Sequence, residues 1–382
     1  MRLAEHVLAR RLRTLTALAA MPALLAVATS DAMAADGRAF AQTNLVSDQP
    51  GVALTTDPNL VNAWGLVAGP TSPWWVADNG SGLSTLYSGA GAIVPLVVTV
   101  PAPAGSPAGT VSTPTGIVFN GTSGFVVSNG TASGPAAFIF SSEDGTIAGW
   151  SPAVDRTHAI LTNDNSGGGS GAVYKGLAIA TNSKGQQLLL ATNIRSGRID
   201  VFDSTFKAVP TQGATFVDPF LPAGFAPFGI ATIQGHVFVT YARRNAAGDG
   251  DVPGVGNGFV DVFDGDGHLL HRVASRGVLD SPWGLAVAPA GFGAFAGDLL
   301  VGNFGNGRIH AFRLDGDGDA DLDVGRFAGT MMSAAGGPLV IDGLWSLQFG
   351  NGAAAGPAST LFFTAGPDGE SHGLLGTLLP VG

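Results

Sequence analysis

The sequence predicts an all-β chain folded as a six-bladed β-propeller, and three observations carry that prediction. A phrase of three short apolar runs recurs six times along the chain. Gly supplies 58 of 382 residues while charged residues make up only 12%, a balance that suits short strands and turns better than amphipathic helices. A lone strand-like run, "FAQTNLVS" at residues 40–47, precedes the first repeat, and the last repeat stops one strand short.

In chain order, residues 1–34 come first and read as a secretory signal. Arg10, Arg11 and Arg13 precede an apolar stretch from Leu15 to Ala28, and Ala32-Met33-Ala34 offers a small-x-small cleavage site. The apolar stretch is shorter than the roughly 20 residues a membrane span needs, so no stable membrane anchor is expected. Arg10-Arg11 leaves both the general and the twin-arginine export routes open. Residues 35–382 are then a single exported domain, periplasmic or extracellular. The chain has no cysteine, so no disulfide holds it, and a chain of this length buries enough core without one. Its net charge of −10 argues against a nucleic-acid partner, which needs clustered Lys and Arg.

The six copies are anchored at Gly65, Gly116, Gly176, Gly229, Gly284 and Gly343, 51 to 60 residues apart. After each anchor comes an apolar run, then a second ("WWVADN", "FVVSNG", "LLLATN", "VFVTYA", "LLVGNF", "LFFTAG"), then a third such as "AAFIF", "RIDVF", "FVDVF" or "RIHAF". A unit of three or four strands at this period, with no helix between, is a propeller blade. A propeller must close its ring or expose strand edges, so residues 40–47 are predicted to complete the last blade.

In a blade the innermost strand lines the axis and the next runs antiparallel to it, so the turn before each anchor and the end of each second run share one face. Before the anchors stand Trp64, Thr115, Lys175, Phe228, Trp283 and Asp342; at the ends of the second runs stand Asn79, Asn129, Asn193, Tyr241, Asn303 and Ala365. Aromatic rings with amides suit a small polar or sugar-like ligand held by stacking and hydrogen bonding. Trp64, Phe228, Trp283, Tyr241 and the four Asn are the expected ligand-binding residues. Lys175 and Asp342, whose charges need partners if they face a channel, are the expected catalytic pair. The competing reading is that the aromatics pack between blades, the Asn residues cap tight turns, and Lys175 and Asp342 pair with each other.

Between the third run of the fifth copy and the sixth copy lies "LDGDGDADLDVG", residues 314–325. Its alternating Asp315, Asp317, Asp319, Asp321 and Asp323 can converge on a hard cation when such a loop curls, which makes calcium the expected cofactor. Ala320 and Arg326 replace the turn glycine and final glutamate of the standard loop, so a solvated acidic turn competes. "DGDGH" at 264–268 is a shorter version. "GGGSG" at 167–171 has no following helix and reads as a flexible loop rather than a phosphate cradle. No nucleophile elbow and no His-Glu-x-x-His motif occurs, and the histidines are scattered.

The runs "NLVSDQPGVA", "NAWGL", "DNGSGLSTLY", "PTGIVFN", "EDGTIAGW", "VYKGLA", "GNGFVDVFD", "SPWGLA", "GDLLVGNFGNGRI", "IDGLWSLQFGNG" and "TLFFTAGPDGESHGLLG" resemble an uncharacterised family of exported bacterial β-propeller proteins, some with a C-terminal PEP-type sorting tail. The chain ends "LLPVG" without that tail, which favours release over retention. The resemblance implies a fold and an export route but no activity or catalytic residues. More distantly the blade phrase is similar to NHL-repeat propellers and to gluconolactonase-like and streptogramin-lyase propellers. The lactonase likeness implies a Glu, an Asn and an Asp on calcium in the channel, and the sequence offers no obvious Glu there.

Fold does not settle function. The first expectation is an exported, monomeric scaffold that uses one channel face to hold a small molecule, a polymer or an envelope protein. The alternative is a calcium-assisted hydrolase or lyase acting on a lactone, ester or sugar-derived substrate; a redox propeller is a weaker third.

Overall fold

The computed structural model describes residues 36–167, 171–211, 215–315 and 323–381. Six antiparallel sheets stand around one axis. Their innermost strands are Ala63–Val67, Pro114–Phe119, Tyr174–Thr181, Phe225–Ile233, Pro282–Val287 and Leu344–Phe349. Each packs against the next, and the sixth returns to the first. The apolar clusters fill the spaces between adjacent blades, as alternation along two-faced strands requires. Among the described residues, helix is confined to Gly293–Phe295 and Pro367–Glu370, and no helix is long and apolar enough to cross a membrane.

Blades 1, 4 and 5 are four-stranded meanders in sequence order. Blade 2 departs from the repeat. Its second strand is Phe138–Ser142, not the run at 124–130; that run forms a separate hairpin, Val126–Ser128 with Ser133–Pro135. Three strands of blade 3 are described. Blade 6 is closed as the early strand predicts. Ala39–Ser47 pairs antiparallel with Leu374–Pro380, from Phe40 opposite Pro380 to Ser47 opposite Leu374, with one bulge. Phe40 and Val46 are fully buried by this pairing.

The anchor glycines sit where neighbouring innermost strands come closest. A Cβ at Gly229 would stand 2.2 Å from the Trp283 carbonyl oxygen, and one at Gly65 2.4 Å from that of Thr115. No side chain fits there. Gly343, the expected sixth anchor, is instead a turn residue at φ +64°. The equivalent position is Ser346, whose Oγ accepts the Leu66 N–H of the neighbouring innermost strand at 3.1 Å.

Second-strand hydroxyls tie blades 3, 4 and 6 to the blades that follow them. Thr192, Thr240 and Thr364 accept the backbone N–H of Gly176, Gly229 and Ser346 at 2.7, 2.8 and 3.1 Å. The same hydroxyls donate to the carbonyls of Phe228, Pro282 and Trp64 in the following blade at 2.7, 2.5 and 2.5 Å. Each bridges two sheets that share no backbone ladder, and each bond contributes about 1 kcal/mol net. The charged and polar residues of the third runs turn into the blades. His310 bonds Thr330 Oγ1 through Nδ1 at 2.9 Å and leaves Nε2 buried without a partner; burial and then Arg308 push its pKa down to about 4.

Candidate functional site

One end of the axis is floored by stacked rings. Trp345 lies face to face with Trp64, centroids 3.6 Å apart, and with Phe304 on its other side at 4.0 Å. Trp283 meets both Trp64 and Trp345 edge-on, and Phe228 tilts against Trp345. These residues cluster because each stands at the start of an innermost strand or the end of a second strand, where six blades converge. Trp64 and Trp345 are 2% and 1% exposed, and their indole N–H groups have no hydrogen-bond acceptor.

A cavity of about 650 Å³ opens on this floor, with Lys175, Glu143, Glu370 and residues 249–251 among its walls. A chain of side chains crosses it from blade 6 through blade 1 to blades 2 and 3. Asn62 Nδ2 donates to Glu370 Oε2 at 2.9 Å and to Asn79 Oδ1 at 3.1 Å. Asn79 Nδ2 donates to Glu143 Oε2 at 3.0 Å, and Glu143 Oε1 takes the Lys175 ammonium. That ammonium also lies 5.2 Å from the centre of the Trp64 ring, and the Trp283 indole N–H fixes the Lys175 carbonyl at 3.2 Å.

Two residues of this chain hold backbone conformations that side chains rarely adopt. Asn62 has φ +49° and Glu370 φ +69°. Asn tolerates the left-handed region; Glu does so at a cost. Burial raises the Glu370 pKa, opposed by the Asn62 bond and reinforced by the charge of Glu143. Burial likewise raises Asp251, with the Ser281 hydroxyl opposing. Asp251 Oδ2 is buried without a hydrogen-bond partner. The mouth thus combines a flat aromatic surface, one committed cation and carboxylates held short of full neutralisation. Such a site can stack, donate and accept.

The residues expected from the sequence divide sharply. Trp64 and Lys175 line the cavity, and Asn79 stands behind its wall, bonded to Glu143. Phe228 and Trp283 belong to the aromatic cluster, but Trp283 lines a smaller cavity of about 250 Å³ at the other end of the axis. Asn193 and Asn303 cap turns: Asn193 accepts the Val173 N–H at 3.2 Å, and Asn303 donates to the Val278 carbonyl at 2.9 Å. Tyr241 is buried between blades 3 and 4. Asn129 lies at the tip of the inserted hairpin and donates to the Val154 carbonyl at 2.9 Å, away from the mouth. Asp342 is exposed and accepts the Asp368 N–H at 2.9 Å; it does not pair with Lys175. Its place in the ring belongs to Trp345, because the true sixth anchor is Ser346. Asp317, Asp319 and Asp321 lie outside the described residues; Asp315 and Asp323 end two paired strands opposite one another.

Glu143 and Glu370 are the two charged members of the side-chain chain that the sequence reading missed, beside Asn62 within it and Trp345, Phe304 and Asp251 around it. Glu143 follows the true second strand of blade 2, which the inserted hairpin disguises. The signal was "EDGT": Gly145 has φ +83°, like Gly82, Gly197 and Gly307 in the same turn of other blades. Nothing comparable marks Glu370. Asp264, Asp266 and His268 bring three ligand atoms within 4.8 Å of one another at the surface, with His268 Nδ1 2.8 Å from Asp264.

Fold and site define a six-bladed β-propeller with a ligand-sized mouth at one end of its axis. No protein-family model matches the chain. The chain is 34% identical over 346 residues to uncharacterised protein R648 of Acanthamoeba polyphaga mimivirus, covering 87% of this chain and 78% of that one. It is 32% identical over 342 residues to uncharacterised protein L690 of the same virus, covering 88% and 84%. The chain belongs to the family of these proteins. Those relatives are viral, so the bacterial and exported character expected from the resemblance finds no support in them. Among solved structures, the apo form of the soluble aldose sugar dehydrogenase of Escherichia coli superposes with a TM-score of 0.51 at 10% identity, over 89% of this chain and 99% of that one. This likeness concerns the fold alone.

Proposed function

We propose that the protein is a binding propeller whose mouth seats a small polyhydroxylated, sugar-like molecule. The observation that carries this reading is the side-chain chain Glu370–Asn62–Asn79–Glu143–Lys175 beside the Trp64–Trp345–Phe304 stack, around a cavity of about 650 Å³. Hydroxyl groups both donate and accept, which matches walls that offer carboxylates, the Lys175 ammonium and the Thr113 hydroxyl. Export behind a leader ending at Ala34 is part of the same reading, and the mass of the purified mature chain tests it. The test of binding is a titration of intrinsic tryptophan fluorescence and melting temperature with monosaccharides and polyols. Saturable changes are expected; a full panel without any change would end the proposal.

A second reading has one specific observation in its favour. A metal-assisted hydrolase or lyase needs acidic oxygen donors at the channel mouth, and Glu143, Glu370 and Asp251 are such donors where the sequence reading had only Asp342 and no Glu. Turnover of a lactone or ester that survives chelation and Glu370→Gln would remove this reading.

A further inference from the structure

We propose that the mouth selects a ligand carrying a protonated amine on its hydroxylated body, an amino sugar or a molecule of that chemistry. The inference rests on the binding reading above and narrows it. Five carboxylates line the cavity, Glu143, Asp144, Asp249, Asp251 and Glu370, against two cations, Lys175 and Arg195. Both cations are already placed: Lys175 on Glu143, and Arg195 3.9 Å from Asp249. Asp144 accepts the N–H and the hydroxyl of Thr113 at 2.8 and 2.9 Å.

Asp251 and Glu370 are left. Asp251 has no cation beside it, with Oδ2 buried and only the Ser281 hydroxyl acting on its carboxyl, and Glu370 receives one amide donor from Asn62. A neutral hydroxyl can donate to such oxygens but cannot offset their charge. An ammonium does both, with three donors and no acceptor of its own. The cation position over the Trp64 ring is already taken by the Lys175 ammonium, 5.2 Å from the ring centre, so the ligand ammonium is drawn by the carboxylates. An anionic ligand would meet carboxylates with no free cation among the described lining residues.

The experiment uses the full chain and three probes of nearly equal shape: glucosamine, N-acetylglucosamine and glucose, titrated by calorimetry. Wild type, Asp251→Asn, Glu370→Gln and the exposed control Asp342→Asn are compared after their folding is checked by circular dichroism. Glucosamine is expected to bind at least about tenfold tighter than either neutral sugar. Asp251→Asn and Glu370→Gln are each expected to shrink that preference, Asp342→Asn to leave it intact, and added salt to weaken it. Equal binding of glucose or N-acetylglucosamine on wild type overturns the amine inference while the binding reading stands. A preference that survives both mouth variants overturns the assignment to Asp251 and Glu370. Failure of all three sugars overturns the inference together with the reading on which it rests.

Discussion

Removing the negative charge of Glu143 should cost more stability than removing the positive charge beside it. The Lys175 side chain is 5% exposed, whereas that of Glu143 is 29% exposed. In Glu143→Gln an ammonium stays in a nearly closed site without its counter-ion, and breaking a buried pair from one side costs about 3–5 kcal/mol. The lower end applies, because Lys175 also lies within the electrostatic reach of Glu370 and Asp251. In Lys175→Met the stem is replaced by a thioether of similar shape, while Glu143 keeps water and the Asn79 amide; the expected loss is about 1 kcal/mol, the scale of a hydrogen bond net of solvent. The double variant should therefore be more stable than Glu143→Gln alone, with a coupling of about 2 kcal/mol. Equilibrium urea unfolding followed by the fluorescence of the mouth tryptophans measures all four corners of the cycle at constant m-value. Losses that simply add, or a Glu143→Gln variant as stable as Lys175→Met, would refute the claim that the cation is the desolvated member.

Three further outcomes test the architecture. Gly229→Ala places a Cβ 2.2 Å from the Trp283 carbonyl and should destabilise by about 1–3 kcal/mol or more, whereas Gly167→Ala, with nothing within 4 Å, should stay within about 0.5 kcal/mol of wild type; urea midpoints compare them. His310 binds its proton only near pH 4 when folded, against about 6.5 unfolded. Its contribution to stability is thus complete above pH 6.5 and falls by up to about 3 kcal/mol as pH drops to 4, and His310→Gln should flatten this part of the stability-versus-pH curve. Deleting residues 36–47 removes Phe40, Leu45 and Val46 from the core, about 1.5–3 kcal/mol for each side chain, and bares the edge of Leu374–Pro380; size-exclusion chromatography should show association, and an unaltered monomer would contradict the closure.

The ring was legible because its requirements are local. Four close approaches leave no room for a Cβ, at Gly65, Gly116, Gly229 and Gly284, and a fifth at Gly176 is tight, so these glycines print the period directly, and the unpaired run at 40–47 announces the closing strand. The mouth was legible only where the period held. Ser346 satisfies the sixth approach with a hydroxyl, which hid Trp345 and put Asp342 in its place. The hairpin at 126–135 copies the look of a second strand, which gave Asn129 a role that Glu143 fills. Glu370 stands in a turn whose left-handed backbone has no signature in the neighbouring residues, since Gly369 at φ +63° and Asp368 at φ +55° make it one of three such conformations in succession. Periodicity reports spacing; it does not report which side chain a non-repeating turn delivers.

The last sheet also sets a timetable for synthesis. Asp48, just beyond the closing strand, holds His372 and the Gly373 N–H from a position 324 residues earlier in the chain. A nascent polypeptide on the ribosome can stack its early blades one after another, but it lacks the antiparallel partner of Ala39–Ser47 until residues 374–380 have been made. Until then its N-terminal strand is an unmatched β-edge, and the slowest step of maturation should be this single long-range docking event.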